Sequence, residues 1–183
     1  MRDPVALGAV APSGVALARL EVGAAGIRPA DVVIELGAGT GPMTAEIVRS
    51  HPMNPLMSLE PNPVLASQLR TRFPLVRVEE RYAQDLPQLC ADWGHPRVDR
   101  VVCCLPWAIW PDALQASVFD AVIQVMQHDA RMVTFQYFHS QFLPAAKRFR
   151  AVLDTRFESV TRTDVAMANV PPAFVYVCDR PRT

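Results

Sequence analysis

Asp31-Val-Val-Ile-Glu-Leu-Gly-Ala-Gly-Thr-Gly41, with Pro42-Met-Thr-Ala-Glu-Ile-Val-Arg49 directly behind it, reads as strand, turn and helix in immediate succession. The first six residues are mostly apolar and β-branched, the composition of a strand buried on both faces. Three of the chain's eight glycines then fall at positions 37, 39 and 41, and none follows Gly94. Close approach of backbone to a ligand is therefore concentrated in one place. Pro42 opens the helix at a first-turn position, where its missing N–H costs nothing. The alternation continues with strands over 55–60, 76–80, 98–105 and 130–138, and helices over 62–73, 85–93, 112–127 and 141–153. A helix over 13–25, with Ser13 as N-cap, precedes them. Strands 157–168 and 173–178 are separated by only four residues, too few for a crossover, so they pair antiparallel. The pattern predicts an α/β fold: a seven-stranded, mostly parallel sheet with helices on both faces and the last strand antiparallel.

Glu60 ends the second strand, twenty-five residues after Glu35. A carboxylate there can accept both hydroxyls of a ribose, which marks a nucleotide or nucleoside site. The glycine spacing is not G-x-G-x-x-G, and Glu35 lies where a pyrophosphate would be repelled. A ligand with positive charge near Glu35, an α-amino group or a sulfonium, suits the stretch better. No Gly-Lys-Ser/Thr follows, which excludes a P-loop.

On these residues the chain resembles the class I S-adenosylmethionine-dependent methyltransferases, whose first motif is E/D-x-G-x-G-x-G and whose Rossmann-like sheet ends in the same antiparallel pair. The resemblance implies that Glu35 and the turn Gly37, Ala38, Gly39, Thr40 and Gly41 hold the methionine end of S-adenosylmethionine. It also implies that Glu60 takes the ribose, that Pro61 and Asn62 flank the adenine, and that Leu105 completes the cofactor-binding set. Tyr82 stands where the family usually has an aspartate for the adenine amino group. Asp85 or Gln84 can replace it, or stacking together with the Ala83 backbone can.

More local strings, Gly8 to Ser13, Val102 to Trp107 and Asn169 to Tyr176, resemble the small bacterial phospholipid N-methyltransferases, which methylate phosphatidylethanolamine. The resemblance implies an acceptor that is a lipid head-group amine. A small-molecule N- or O-methyltransferase and a non-catalytic cofactor-binding protein acting through a partner are the alternatives. That family carries an amphipathic N-terminal helix that docks on the bilayer, whereas only a dozen residues precede Ser13 here. Either the start is truncated or the substrate is soluble. Trp107 and Trp110 are substrate candidates which, with Tyr137, would face a cationic amine through cation–π contact; the other reading makes the tryptophans lid or core residues. Tyr137 and His139, at the end of the fifth strand, are the catalytic candidates for orienting the amine or removing its proton, with a plain loop histidine as the alternative for His139. Lys147, Arg148 and Arg150 form a basic cluster that either meets lipid phosphate or is a solvated helix face.

The rest of the composition bounds the answer. The chain has 183 residues, 50% hydrophobic and 20% charged, with 18 basic residues against 18 acidic, and a pI near 6.9. That describes one domain over 1–183, with 1–30 a helical cover and 31–183 the cofactor-binding core. Near-neutral charge argues against a broad basic surface, so no nucleic acid is expected. Cys90, Cys103, Cys104 and Cys178 show no C-x-x-C spacing, and His51, His95 and His128 stand alone, so no metal is expected. The uncharged run from Val5 to Ala18 is broken by Gly8, Pro12 and Gly14, unlike a signal peptide or span. A cytoplasmic protein is the expectation, with possible peripheral contact at the inner membrane face.

Overall fold

The computed structural model describes residues 14–182. The elements are α1 Val15–Ala25, β1 Val33–Leu36, α2 Pro42–Ser50, β2 Leu56–Leu59, α3 Pro63–Arg72, β3 Arg77–Glu79, α4 Leu86–Asp92, β4 Val98–Cys103, α5 Asp112–Val125, β5 Met126–Tyr137, α6 Pro144–Arg156, β6 Phe157–Arg162 and β7 Ala173–Pro181. The strands line up β3-β2-β1-β4-β5-β7-β6. β3, β2, β1, β4 and β5 pair in parallel, and β7 runs antiparallel to β5 and to β6. Six strands thus share one direction and β7 opposes them.

Register sorts the side chains between two faces. Glu35 pairs with Ser58 and Val102, and Ser58 with Val78, so these four lie on one face. Helices α1 and α2 cover it, packing Leu17, Val22, Met43 and Ile47 onto Val33, Val102, Val133 and Val175. Ala66 and Leu69 of α3 close over Val78 and Ala38 beside them. The opposite face carries α4, α5 and α6, with Leu86, Phe119, Phe149 and Leu153 against Ile34, Met57, Val101 and Met132. Strand order reverses between β1 and β4, so a crevice opens at their carboxyl ends.

Several element boundaries differ from the sequence pattern: β5, expected from position 130, already starts at Met126, and β7, expected to end at position 178, runs to Pro181. The helix expected over 141–153 starts at Pro144, after a 3₁₀ turn over Phe138–Phe142, because proline at the first helical position fixes the start. The strand expected to reach Ala168 stops at Arg162, with a single bridge from Ala166 to Ala173 beyond it. Ser13, the expected N-cap of α1, and the Gly8 to Ser13 string lie outside the described residues. No helix among the described residues is long and apolar enough to cross a membrane.

Candidate functional site

β1 delivers the chain into the crevice, where it turns through Gly37, Gly39 and Gly41 at φ of 76°, 56° and 85°. The Gly37 and Ala38 N–H groups both donate to the Leu59 carbonyl, at 3.0 and 3.2 Å, which pins the turn to the end of β2. Gly41 combines a left-handed backbone with crowding: a Cβ there would lie 2.7 Å from the Leu69 side chain and 3.0 Å from the Phe73 ring. Gly39 is different, since a Cβ there would meet nothing within 4 Å. The turn is therefore open at Gly39, a cradle a ligand can lie against. Across from Gly37 stands Leu105, 3.1 Å from where a Cβ would sit. Ala38 is buried and Thr40 exposed, the Thr40 carbonyl accepting from Arg72 at 3.3 Å.

Glu35 is fully buried. Its Oε2 accepts from the hydroxyls of Thr44, at 2.7 Å, and Ser58, at 2.5 Å. The Ser58 bond follows from strand register, and Thr44 comes from the first turn of α2. The other oxygen, Oε1, is buried with no partner. Burial pushes the carboxyl above its ordinary range, while the two hydroxyls pull it back. An orphaned carboxylate oxygen in the wall of the crevice fits a ligand that brings a charged donor.

Glu60 follows β2, and its oxygens accept from the Gly39 N–H at 2.8 Å and the Asn62 N–H at 2.9 Å. These bonds leave lone pairs free, because a carboxylate has about four acceptor positions. The Asn62 side chain caps α3 by accepting from the N–H groups of Val64 and Leu65, at 3.0 and 3.2 Å, with Pro61 beside it. Ala83 is buried in the 3₁₀ turn Ala83–Asp85, and Tyr82 is 46% exposed next to it. Asp85 is engaged by Arg81 at 2.9 Å, on the surface.

The aromatic wall expected from Trp107 and Tyr137 is not assembled. Trp107 is 3% exposed, stacks on Phe119 and Phe149 with centroids 4.5 and 5.3 Å apart, and donates its indole N–H to Thr134 at 3.2 Å. It belongs to the core under α5 and α6, whereas Tyr137 packs on the α1 and α2 face. The correction has a physical reason: Thr134 and Tyr137 are three apart on a strand, so their side chains take opposite faces. Trp110 is half-buried, edge-on to Trp107 at 5.6 Å. Gln115 clasps this segment by donating to the carbonyls of Trp107 and Trp110, at 2.9 and 3.1 Å. Half-buried Tyr137 and exposed His139 do meet, rings stacked at 5.8 Å, and burial raises the Tyr137 hydroxyl. The basic cluster is divided. Arg150 is held by Asp154 and the Val160 carbonyl and lies 5.4 Å over the Tyr176 ring, while Lys147 and Arg148 stay exposed.

Sequence reasoning passed over Thr44, Ser58, Gln115 and one buried acid, Glu21. Ser58 was findable as a polar residue in an apolar strand. Glu21 had a signal too, lying four residues after Leu17 and four before Ala25, both on the inner stripe of α1.

No protein-family model matches the chain. It is 34% identical to the ornithine lipid N-methyltransferase of Singulisphaera acidiphila over 94% of its own length and 88% of that protein. A shorter match, 34% over 48% of the chain and 29% of the relative, is to a probable ribosomal RNA small subunit methyltransferase A of Methanosarcina barkeri. Among solved structures, precorrin-6y C5,15-methyltransferase of Geobacter metallireducens superposes with a TM-score of 0.66 at 16% identity, covering 90% of this chain and 87% of that one. A mycolic acid cyclopropane synthase bound to S-adenosylhomocysteine superposes at 0.56 with 16% identity, over 76% and 50%. At these identities the structures support the fold.

Proposed function

Because the chain belongs to the family of the ornithine lipid N-methyltransferase, S-adenosylmethionine-dependent enzymes, we propose that it methylates the primary amine of a membrane lipid. Ornithine lipid is the first acceptor to test and phosphatidylethanolamine the second. The observation that carries this reading is where apolar side chains are left uncovered. Eleven large ones are exposed among the described residues, and six of them, Ile109, Phe138, Phe142, Leu143, Met167 and Val170, follow β4 or β5 or join β6 to β7. All six therefore rim the crevice end of the sheet. Val15 adjoins them, since the preceding Gly14 N–H donates to Asn169 in the β6–β7 connection. Such a rim suits a bilayer surface from which the amine is reached while the acyl chains stay in lipid.

S-adenosylmethionine, when bound, supplies a methyl group activated on a sulfonium. In this reading Glu35, Gly37, Ala38, Gly39, Thr40 and Gly41 seat its amino-acid end, and Glu60 accepts the ribose hydroxyls. Pro61, Asn62, Tyr82 and Ala83 surround the adenine, and Leu105 closes over the turn. An alkylamine with a pKa of roughly 10 arrives protonated and must lose a proton before its lone pair can form the new C–N bond. Tyr137 stays neutral and orients the amine by hydrogen bonding. His139, stacked on it and open to water, passes the proton to solvent. Positioning supplies most of the rate.

The test is methyl transfer from labelled S-adenosylmethionine to vesicles containing ornithine lipid or phosphatidylethanolamine, beside a water-soluble ornithine amide. Phe142→Ser with Leu143→Ser should cut vesicle co-sedimentation and turnover of vesicle-borne lipid by about tenfold, leaving the soluble amide unaffected. Turnover of the soluble amine equal to that of either lipid would overturn the reading.

A further inference from the structure

Glu21 enters no motif and, among the described residues, no ion pair, yet it is fully buried on the inner stripe of α1. Its Oε2 accepts from the Cys104 thiol at 3.9 Å, and its Oε1 is buried without a partner. The Cys104 contact fixes where this carboxyl stands. The Cys104 N–H donates to the Leu36 carbonyl at 2.9 Å, and the Cys104 carbonyl is 3.4 Å from where a Cβ on Gly37 would be. Glu21 therefore flanks the first glycine of the turn, and the charge of Glu35 acts on it directly. Two buried carboxyl groups, each with an oxygen that no other residue bonds and neither ion-paired among the described residues, form a pair without a counter-charge, which is costly in a buried setting. A primary ammonium completes it, since it carries positive charge and three donors in a small volume.

We infer that Glu21 and Glu35 together form the seat of the ammonium group at the amino-acid end of the cofactor, and that filling this seat expels a proton from the pair. The inference rests on the role given to Glu35 above. In the free protein, burial and then the Glu35 charge hold the Glu21 carboxyl well above the usual carboxylate range, which favours its protonated form. An ammonium beside it favours the charged form. The O–H bond then breaks, the proton goes to buffer, and ammonium N–H groups donate to both carboxylates. The other charged groups around α1 are otherwise engaged. On α2, Glu46 is paired with Arg49, and Arg19 of α1 acts on that same glutamate. At the end of β4, the Cys103 thiol is pushed up to about 12 and that of Cys104 is raised as well. On β5, Tyr137 is raised, and Arg131 is held by Asp179 of β7 and the Ala24 carbonyl. Glu60 lies beyond Glu35 and is bonded to backbone.

Calorimetry of S-adenosylhomocysteine binding at pH 7, in buffers of different ionisation enthalpy, counts the protons released. The wild type should release close to one, and its affinity should rise by up to about tenfold per pH unit between pH 6 and 8. Glu21→Gln should release less than half as much, with affinity about tenfold weaker at pH 8 and nearly unchanged at pH 6. Methylthioadenosine, which lacks the amino-acid end, should bind both proteins alike and release no proton. The free proteins supply a further readout. The Glu21 carboxyl is raised in the folded protein relative to the unfolded chain, so wild-type stability falls as pH rises above the ordinary carboxylate range, and Glu21→Gln should flatten that fall. Equal proton release by both proteins, or a loss of methylthioadenosine affinity as large as that for S-adenosylhomocysteine, overturns the inference. Tight binding by the wild type with no proton release overturns it while leaving the cofactor reading intact. A wild type that binds neither ligand overturns both.

Discussion

The turn after β1 and the segment after β4 occupy neighbouring strand ends but are built by opposite means. Gly37 to Gly41 is shaped by backbone: positive φ angles, N–H groups pinned to Leu59, and an open side at Gly39. Cys104 to Trp110 is shaped by side chains: an indole stacked on Phe119 and Phe149, and carbonyls clasped by Gln115. The first is a backbone surface left open on one side. The second is an extension of the core that turns a half-buried Trp110 and an exposed Ile109 outward. In the proposed reading, a family keeps one cofactor and changes acceptors by repacking the second segment, without touching the first.

If that contrast is right, the largest effect belongs to Trp107. Replacing it with Ala should cost about 3–5 kcal/mol in a chemical or thermal melt, while S-adenosylhomocysteine affinity of the folded fraction holds. Trp107→Phe keeps the stack and forfeits the bond to Thr134, so it should cost only about 1 kcal/mol. A Phe variant of normal stability with a strongly raised KM for the acceptor would return Trp107 to the substrate.

Glu60→Ala comes next. A charged acceptor worth about 1.5–3 kcal/mol implies cofactor binding weakened by roughly 10- to 150-fold, read by calorimetry, with a small change in melting. Unchanged affinity would mean that Glu60 serves the turn alone, through its bond to the Gly39 N–H.

The smallest effect separates two glycines. Ala at either position meets a left-handed backbone, at about 1–2 kcal/mol. Gly41→Ala adds a clash with Leu69 and Phe73, so it should lower the melting temperature further than Gly39→Ala. Gly39→Ala projects a methyl into the open side and should lower cofactor affinity more than Gly41→Ala does. The reverse ranking in either measurement would erase the distinction between a packing glycine and a ligand-facing one.

The same contrast explains what was legible in the sequence. Glycines at alternate positions between a β-branched run and a proline leave few conformations open, so the turn, its acid and the sheet around it could be read locally. The antiparallel end was legible because four residues cannot hold a crossover. Trp107 could not be read locally, because its partners Phe119, Thr134 and Phe149 are scattered over three later elements and only the fold brings them together. The face on which Tyr137 points depends on the register of β5, which a one-residue shift would reverse. Glu21 was visible in helical periodicity, but an acid on an apolar stripe carries no meaning until the strand ends beneath it are known.

The strand order also leaves β3 and β6 outermost, and both are poor templates for another sheet. β3 has three residues and carries an Arg77–Glu79 ion pair at 2.6 Å. Alongside β6, Glu158 pairs with Arg180, and Arg162 bonds Gln141 at 3.1 Å. A very short margin on one side and charged side chains on both resist strand addition from a second molecule. If the protein gathers on a membrane as proposed, it meets its own copies at high local density, sideways on. With these margins it can crowd there without zipping into fibrils, and each copy stays free to turn over and leave.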